Sequence, residues 1–313
     1  MKYFRKLIAI FFVCISVFVI TAKSDYEYLL GKYKPFEGLK AKREAAERKM
    51  HELEERLAEK ERILAEKKAE HIKFINAYLM KIPNQSYSVM RTEVTQKQWQ
   101  TVMGPNPSRF KGDDLPVEYV SWIDAVEFCN ALSEKQGLEK CYSNGRWAYY
   151  DKKKKKDVTE EDYNKDQKKK YSKRQIVKYY VIDCNFNADG YRLPTVEEWQ
   201  YAARGGQDYK YSGSDNLDEV GWYKENSEEK THPVAQKAPN DYGLYDMSGN
   251  VMEWCWDSDD DGVCRYLFGS GRYICNGSWE DSAGQCEVGR SYSNGDSLTS
   301  SDLGFRIVRT ISK

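Results

Sequence analysis

The chain has 313 residues and a formal net charge of zero, with 49 basic and 49 acidic side chains. This balance excludes the strongly basic surface that is typical of nucleic-acid-binding proteins. Aromatic residues make up 14% of the chain, with 24 tyrosines and 8 tryptophans, whereas prolines number only 8. Such a composition indicates a folded, aromatic-rich body and excludes an extended disordered chain.

The first 24 residues are typical of an export signal. Basic residues precede an apolar run over residues 7–22, and Ala22-Lys23-Ser24 supplies small residues at the two positions that a signal peptidase reads. The run is shorter than the ~20 residues that cross a bilayer, which favours cleavage over retention as a membrane anchor. Cys14 leaves a lipid anchor open, although Phe12-Val13 matches a lipidation signal poorly. We therefore expect a periplasmic, envelope-associated or secreted protein.

An odd number of cysteines remains once the predicted signal is removed. At least one of these thiols therefore has no disulfide partner within the chain. An oxidising compartment permits disulfides, but the sequence leaves their pairing open. The seven cysteines are Cys129, Cys141, Cys184, Cys255, Cys264, Cys275 and Cys286.

A long helix is predicted over Leu39–Ile75, inside a stalk that extends over residues 25–80. The helical segment is rich in Ala, Glu, Lys, Arg and Leu and contains neither Gly nor Pro. Met50, Leu53 and Leu57 fall at coiled-coil spacing, but lysines interrupt the seam soon afterwards. Two interpretations stay open: a helix that mediates an oligomer or binds a partner, and a solvated spacer.

The globular domain is predicted over residues 86–313. A helix is expected at Gln96–Met103, another after the N-cap residue Ser121, and a third after Thr195, which forms a capping box with Glu198. Towards the C-terminus, short aromatic strands alternate with polar loops. A few helices among many short elements indicate an α+β fold with long loops.

A basic insert at residues 146–181 interrupts this domain, with 13 Lys and Arg against 6 Asp and Glu. Such a segment could bind an anionic polymer or an acidic surface. We favour a solvated hairpin with strands at Tyr149-Tyr150 and Val177–Ile182, because the aromatic residues lie mostly at the ends of the insert.

Several short motifs occur in an order that is typical of one known family. They are Thr92-Glu-Val-Thr95, Asn106-Pro-Ser108, Leu115-Pro-Val117, Val120–Ala125, Tyr191–Arg204, His232-Pro-Val234, Gly243–Trp254, Asn276-Gly-Ser-Trp279 and Leu303-Gly-Phe-Arg306. Through these motifs the stretch from about Ser86 to Arg309 resembles the formylglycine-generating enzyme (sulfatase-modifying factor) family. The resemblance implies that family's irregular variant of the C-type lectin fold.

The resemblance also implies where catalytic residues would lie. The family's oxidases hold copper(I) between two cysteine thiolates and convert a substrate cysteine in sulfatases to formylglycine. The thiolates lie two and seven residues after the aromatic residue of the Gly-Ser-aromatic motif, which are Asp281 and Cys286 here. A carboxylate is a hard ligand that cannot replace a thiolate for copper(I), and Cys275 could complete the pair only through a different geometry. We therefore do not expect copper to bind, and Cys286 would be catalytic only in an active enzyme.

A structural calcium site is implied at Asp246, Gly249, Val251 and Glu253. Two carboxylates and two backbone carbonyls within eight residues are the oxygen ligands that calcium prefers. The alternative is that Glu253 only accepts hydrogen bonds from nearby backbone amides.

Ligand-binding residues are implied in the stretch Glu280–Asp302. Variable proteins of diversity-generating retroelements, which share this fold, place their binding residues there, and small polar residues with tyrosine suit adaptable recognition. The alternative is an ordinary loop. The candidates are Asp281, Ser282, Gln285 and Tyr292.

Three functions stay open from the sequence. We favour an exported family member that has lost oxidase chemistry and serves in binding or envelope organisation, with a protein or surface ligand as its partner and no nucleic acid. The alternatives are an active copper-dependent oxidase of sulfatase cysteines and a diversified, lectin-like ligand-binding receptor.

Overall fold

The computed structural model describes residues 37–311, except residues 144, 152, 155, 259–264 and 267–270. The predicted export signal lies outside the described residues. The chain divides into an N-terminal unit that ends at Lys67 and a C-terminal unit that begins at Lys68.

A single helix, α1, extends over Glu37–Ala77 and contains the predicted segment with two more residues at each end. Ion pairs between successive turns support it, such as Arg43 with Glu47 at 2.9 Å. Leu53 and Leu57 each expose more than half of their surface, as either interpretation of the stalk expects. In the described part of the chain, no helix is both long and apolar enough to cross a membrane.

Short elements make up the C-terminal unit. The helices are α2 (Gln96–Val102), α3 (Trp122–Lys135), α4 (Glu160–Gln167), α5 (Val196–Arg204) and α6 (Leu217–Val220). The strands are β1 (Leu79–Lys81), β2 (Tyr87–Met90), β3 (Arg146–Asp151), β4 (Lys156–Val158), β5 (Ile176–Val181), β6 (Tyr191–Arg192), β7 (Met252–Ser258), β8 (Arg265–Tyr266), β9 (Gly271–Cys275), β10 (Ser291–Gly295), β11 (Leu303–Gly304) and β12 (Val308–Thr310).

Three four-stranded sheets organise these strands, in the orders β1-β2-β12-β6, β10-β9-β7-β11 and β4-β3-β5-β8. Strand β12, near the C-terminus, pairs antiparallel with both β2 and β6, so the two ends of the domain meet in one sheet. Strand β11 runs parallel to β7, which brings the Leu303–Arg306 motif beside the Gly243–Trp254 motif. The architecture is the predicted α+β arrangement of helices and short strands.

Local sequence signals position the helices. Thr195 caps α5 through a reciprocal capping box, in which its hydroxyl accepts from the Glu198 amide and the Glu198 carboxylate accepts from the Thr195 amide. Glu198 also pairs with Arg192 at 2.6 Å, which ties α5 to β6. Ser121 caps α3 in the same way with Asp124. The predicted helix starts are therefore those of the structure.

The basic insert supplies three of the four strands of one sheet, and β8 from outside the insert pairs with β5 as the fourth. Strands β3 and β5 pair antiparallel over their whole length, from Arg146 opposite Val181 to Asp151 opposite Ile176. Tyr149 and Tyr150 lie on β3, so the insert contains the hairpin strands expected from the sequence.

One fully buried ion pair lies where several motifs converge. Arg306 donates from Nε to Glu253 Oε2 at 2.6 Å and from Nη2 to Glu253 Oε1 at 2.7 Å. The Trp199 indole donates to Glu253 Oε2 at 2.7 Å, and Arg306 also donates to the carbonyls of Met90 and Tyr245. The side chains of Arg306 and Glu253 are fully buried, so each charge depends on the other in place of water.

Replacing Arg306 with methionine should lower the free energy of unfolding by about 3–5 kcal/mol, because Glu253 would be left as an uncompensated buried charge. Urea denaturation followed by circular dichroism measures the change. The matched control is Arg290→Met, which removes an exposed ion pair with Glu287 at 3.3 Å and should leave the midpoint nearly unchanged. Equal midpoints for the two variants would show that the buried pair is not structural.

Candidate functional site

A tight turn around Trp279 follows β9, and Asn276 holds it in place. Asn276 has φ 74°, in the left-handed region that asparagine tolerates better than most residues. Its side-chain oxygen accepts from the amides of Gly249 and Gly277, both at 2.8 Å. Its side-chain nitrogen donates to the backbone carbonyls of Asp246, Gly249 and Val251.

Trp279 itself joins three segments that are far apart in sequence. Its indole nitrogen donates to the Ser301 carbonyl at 3.0 Å, and its backbone amide donates to the Asn250 carbonyl at 2.8 Å. The Phe110 ring meets it edge-on, with centroids 5.7 Å apart. The turn is therefore anchored on several sides, and the residues that follow it hold a defined position.

Asp281 is bound within this turn. One carboxylate oxygen accepts from the amide of Ser278 at 2.9 Å and from its hydroxyl at 2.7 Å, and the other accepts from the Gln285 side chain at 2.7 Å. Ser282 and Gln285 cap the short 3₁₀ helix Ala283–Gln285 through bonds to each other. Three of the predicted ligand-binding residues thus bind one another and shape the turn.

Cys286 lies at the end of the 3₁₀ helix as a core residue, with 1% of its surface exposed. It packs with Tyr211, Leu217 and Val220. Burial, and then the nearby Asp281 carboxylate, raise the pKa of the Cys286 thiol to about 12. The thiol therefore stays protonated at neutral pH, whereas a copper ligand or a nucleophile must be a thiolate.

Cys275 does not join Cys286 in one cluster. It packs in a different hydrophobic cluster, where its Sγ lies 3.4 Å from Sγ of Cys255. Cys275 and Cys286 could hold copper together only if their side chains met. In this structure they lie in separate hydrophobic clusters.

Alkylation should report the state of Cys286. Because its pKa is raised to about 12 from an ordinary value of 9.0, its thiolate fraction at pH 7 is lower by roughly a thousandfold. In a variant that keeps Cys286 as its only cysteine, iodoacetamide should react at least that much more slowly with the native than with the urea-unfolded chain. The native rate should also rise with pH up to about 12. Comparable rates in both states would contradict the buried thiol.

The predicted calcium ligands do not form a calcium cage. Both oxygens of Glu253 are held by Arg306, and one also accepts from Trp199. The carbonyls of Gly249 and Val251 accept hydrogen bonds from the Asn276 side chain. Among the residues that the structure describes, no three His, Cys, Asp or Glu side chains are arranged to hold a metal. These contacts hold the framework of the domain, and the calcium site stays a prediction.

Asp246 lies beside a buried acid that the sequence did not mark as a site residue. One Asp246 oxygen accepts from the Ala235 amide at 2.7 Å, and burial raises the pKa of this carboxyl to about 6. Burial, and then the Asp246 charge, raise the pKa of Glu93 well above its usual range. Glu93 also accepts from Asn250 at 3.1 Å. Its place in the Thr92–Thr95 motif was the only sequence signal for this role.

A partly exposed surface surrounds the turn, and we call Phe110, Trp279, Glu280, Asp281 and Tyr292 the Trp279 face. Trp279 itself is buried, with 7% of its surface exposed, and Phe110 is half-buried. Burial and the neighbouring Asp302 carboxylate raise the pKa of Glu280. Tyr292, on β10, exposes 37% of its surface, and burial followed by the Asp281 charge raises its pKa. Of the predicted ligand-binding residues, Tyr292 presents the largest apolar contact area to a partner.

A cleft of about 490 Å³ opens in the basic insert. Its charged lining residues are Lys153, Lys154, Lys165, Lys169, Asp151, Asp162 and Asp166. Asp166 accepts from Lys169 at 2.7 Å and from the amides of Gln175 and Ile176, and these bonds hold its pKa at about 2. The lysines are thus largely compensated by aspartates that fix the loops, which favours the solvated hairpin over an anion site.

Comparisons with known proteins agree with this geometry. Residues 56–311 match the model of the sulfatase-modifying factor enzyme 1-like domain. "Chaperone protein LppX" of Paenibacillus barcinonensis is 38% identical over 247 residues, 72% of this chain and 80% of that protein. The formylglycine-generating enzyme of Streptomyces coelicolor is 32% identical over 148 residues, 37% of this chain and 46% of that enzyme.

A solved structure supports the fold. Treponema denticola variable protein 1 superposes with a TM-score of 0.56 at 37% identity, covering 74% of this chain and 91% of that one. The likeness confirms the α+β, C-type-lectin-like fold that the motifs imply.

Proposed function

This chain belongs to the family of sulfatase-modifying factor enzyme 1-like domains, and we propose that it is a non-catalytic member that binds another protein through the Trp279 face. Its export, and a place at the cell envelope, are part of the same proposal and depend on the predicted signal at residues 1–24.

The proposal rests on the geometry of Asp281 and Cys286, the two positions at which the family's oxidases have copper-binding thiolates. We call them the former thiolate positions. Asp281 stands where the first thiolate is needed, and its carboxylate is already bound to Ser278 and Gln285. Cys286, at the second position, is buried, with its pKa raised to about 12. Neither residue supplies the soft, ionised sulfur that copper(I) requires. The loss is therefore local, and the framework around it is intact.

The relatives favour binding over catalysis. The protein called LppX, with which this chain shares 38% identity, is named a chaperone, so a related domain is described as acting on another protein. The Trp279 face offers suitable chemistry, because it combines the exposed ring of Tyr292 and the half-buried ring of Phe110 with the carboxylates of Glu280 and Asp281. Aromatic rings provide most of the contact energy in many protein interfaces, and charges set the choice of partner.

Oxidase chemistry is tested by incubating the purified chain with copper(I), oxygen and a cysteine-containing sulfatase peptide, followed by mass spectrometry. We expect no formylglycine above the background of a Cys286→Ser variant, whereas the Streptomyces coelicolor enzyme should convert the peptide in parallel. Turnover by this chain that is lost in Cys286→Ser would establish the active oxidase instead.

Protein binding is tested by light scattering of citrate synthase as it aggregates on heating. An equimolar amount of this chain should reduce scattering by roughly twofold or more, and Tyr292→Ser should lose most of that effect because Tyr292 anchors the contact. Tyr171→Ser is the matched control, since Tyr171 is an exposed tyrosine on the insert. Absence of suppression by the wild-type chain, or equal losses in both variants, would count against the proposal.

A lectin-like receptor is a second candidate, favoured by the likeness to Treponema denticola variable protein 1. That relative is named a variable protein, and Glu280–Asp302 is the stretch that would vary here. Sister copies of this gene that differ mainly within this stretch would favour the receptor. Differences spread evenly along the chain would exclude it.

A further inference from the structure

Cys255 and Cys275 bring two thiols into contact inside the C-terminal unit. Their Sγ atoms lie 3.4 Å apart, and both side chains are fully buried. They belong to the neighbouring antiparallel strands β7 and β9, whose register places Glu253 opposite Cys275. Because side chains alternate along a strand, Cys255 lies on the same face of the sheet as Glu253 and Cys275. The two cysteines are diagonal neighbours across the strand pair.

We propose that Cys255 and Cys275 form an intrachain disulfide when the protein folds under oxidising conditions. The backbone already brings the two side chains together on one face, and their sulfurs are in contact at 3.4 Å, against the roughly 2.05 Å of a disulfide bond. The strands on either side are fixed by ladder bonds, including the pairing of Trp254 with Ile274. The proposal rests on this contact alone and does not depend on the proposed function.

The reaction is a thiol–disulfide exchange with a small-molecule or protein disulfide as the oxidant. One cysteine thiolate attacks the oxidant, forms a mixed disulfide and releases one thiol. The second cysteine thiolate then attacks the sulfur of the first, and the other half of the oxidant leaves as a thiol. Two thiols of the chain thus lose two protons and two electrons, and the oxidant disulfide is reduced to two thiols.

Burial determines when this exchange occurs. Both side chains are shielded from an oxidant in the folded chain, and burial raises the pKa of Cys255 well above its usual range. Once β7 and β9 have paired, little of Cys255 is therefore present as the thiolate that attacks the oxidant. The bond forms during folding, when both cysteines are accessible, and the folded core then protects it.

The cross-link would stabilise the framework of the Trp279 face. Strand β7 carries Glu253 of the central ion pair, and β9 leads directly into the turn that Asn276 holds. A covalent bond between these strands restricts the unfolded chain over residues 255–275. It also keeps the start of the turn next to the ion pair.

Peptide mapping tests the bond directly. The full chain is unfolded in urea with dithiothreitol and refolded in a mixture of oxidised and reduced glutathione. Remaining thiols are blocked with N-ethylmaleimide in denaturant before digestion and mass spectrometry. We expect the peptides that contain Cys255 and Cys275 to be linked and about 2 Da lighter than their sum. Refolding with dithiothreitol present should leave both cysteines alkylated, and Cys286→Ser should keep the link.

Thermal unfolding gives a second readout. The oxidised wild-type chain should melt roughly 5–10 °C above the reduced one, and Cys255→Ala should abolish the difference. If Cys255→Ala does not fold, the peptide map of the wild-type chain decides alone. Alkylation of both cysteines after oxidative refolding, or a link from either one to Cys264, would overturn the proposal.

Discussion

The contact between Glu253 and Arg306 is the constraint on which the rest of the domain depends. A carboxylate and a guanidinium without access to water are tolerated only when each satisfies the other, so the elements that carry them must meet in one arrangement. Arg306 extends that requirement to the backbone at Met90 and Tyr245, and Glu253 extends it to Trp199 on α5. Three sequence motifs and the end of strand β2 are thereby held around one buried charge pair.

In this arrangement, the residues that maintain the fold are different from the residues that would carry out oxidase chemistry. The motifs that place the chain in its family are largely those that surround the ion pair and Asn276, and their contacts are structural. The positions at which oxidases of the family hold copper lie further along, in the turn after Trp279. Asp281 there contributes hydrogen bonds to the same turn, so a change that removes a thiolate leaves the framework in place. The domain can therefore lose oxidase chemistry and keep a shaped, partly acidic surface.

Local features could be predicted from the sequence, and long-range partners could not. The capping box between Thr195 and Glu198 and the presence of the long helix α1 follow from residues a few positions apart in the chain. The contacts of the predicted calcium ligands could not be read from the sequence, because Arg306 and Asn276, which hydrogen-bond to them, lie 25 or more residues away in the chain. The contact between Cys255 and Cys275 likewise depends on strand register, which includes an irregularity after Trp254. The burial of Cys286 depends on Tyr211 and α6, which spacing alone does not reveal.

The central claim, that the former thiolate positions no longer bind copper, is tested most directly by titrating the reduced chain with copper(I) against a chromophoric chelator. Cys286→Ser serves as the matched control. The account predicts identical curves for the two proteins, because a buried thiol with a pKa of about 12 contributes no ligand at neutral pH. One equivalent of copper(I) held by the wild-type chain and lost in Cys286→Ser would contradict it.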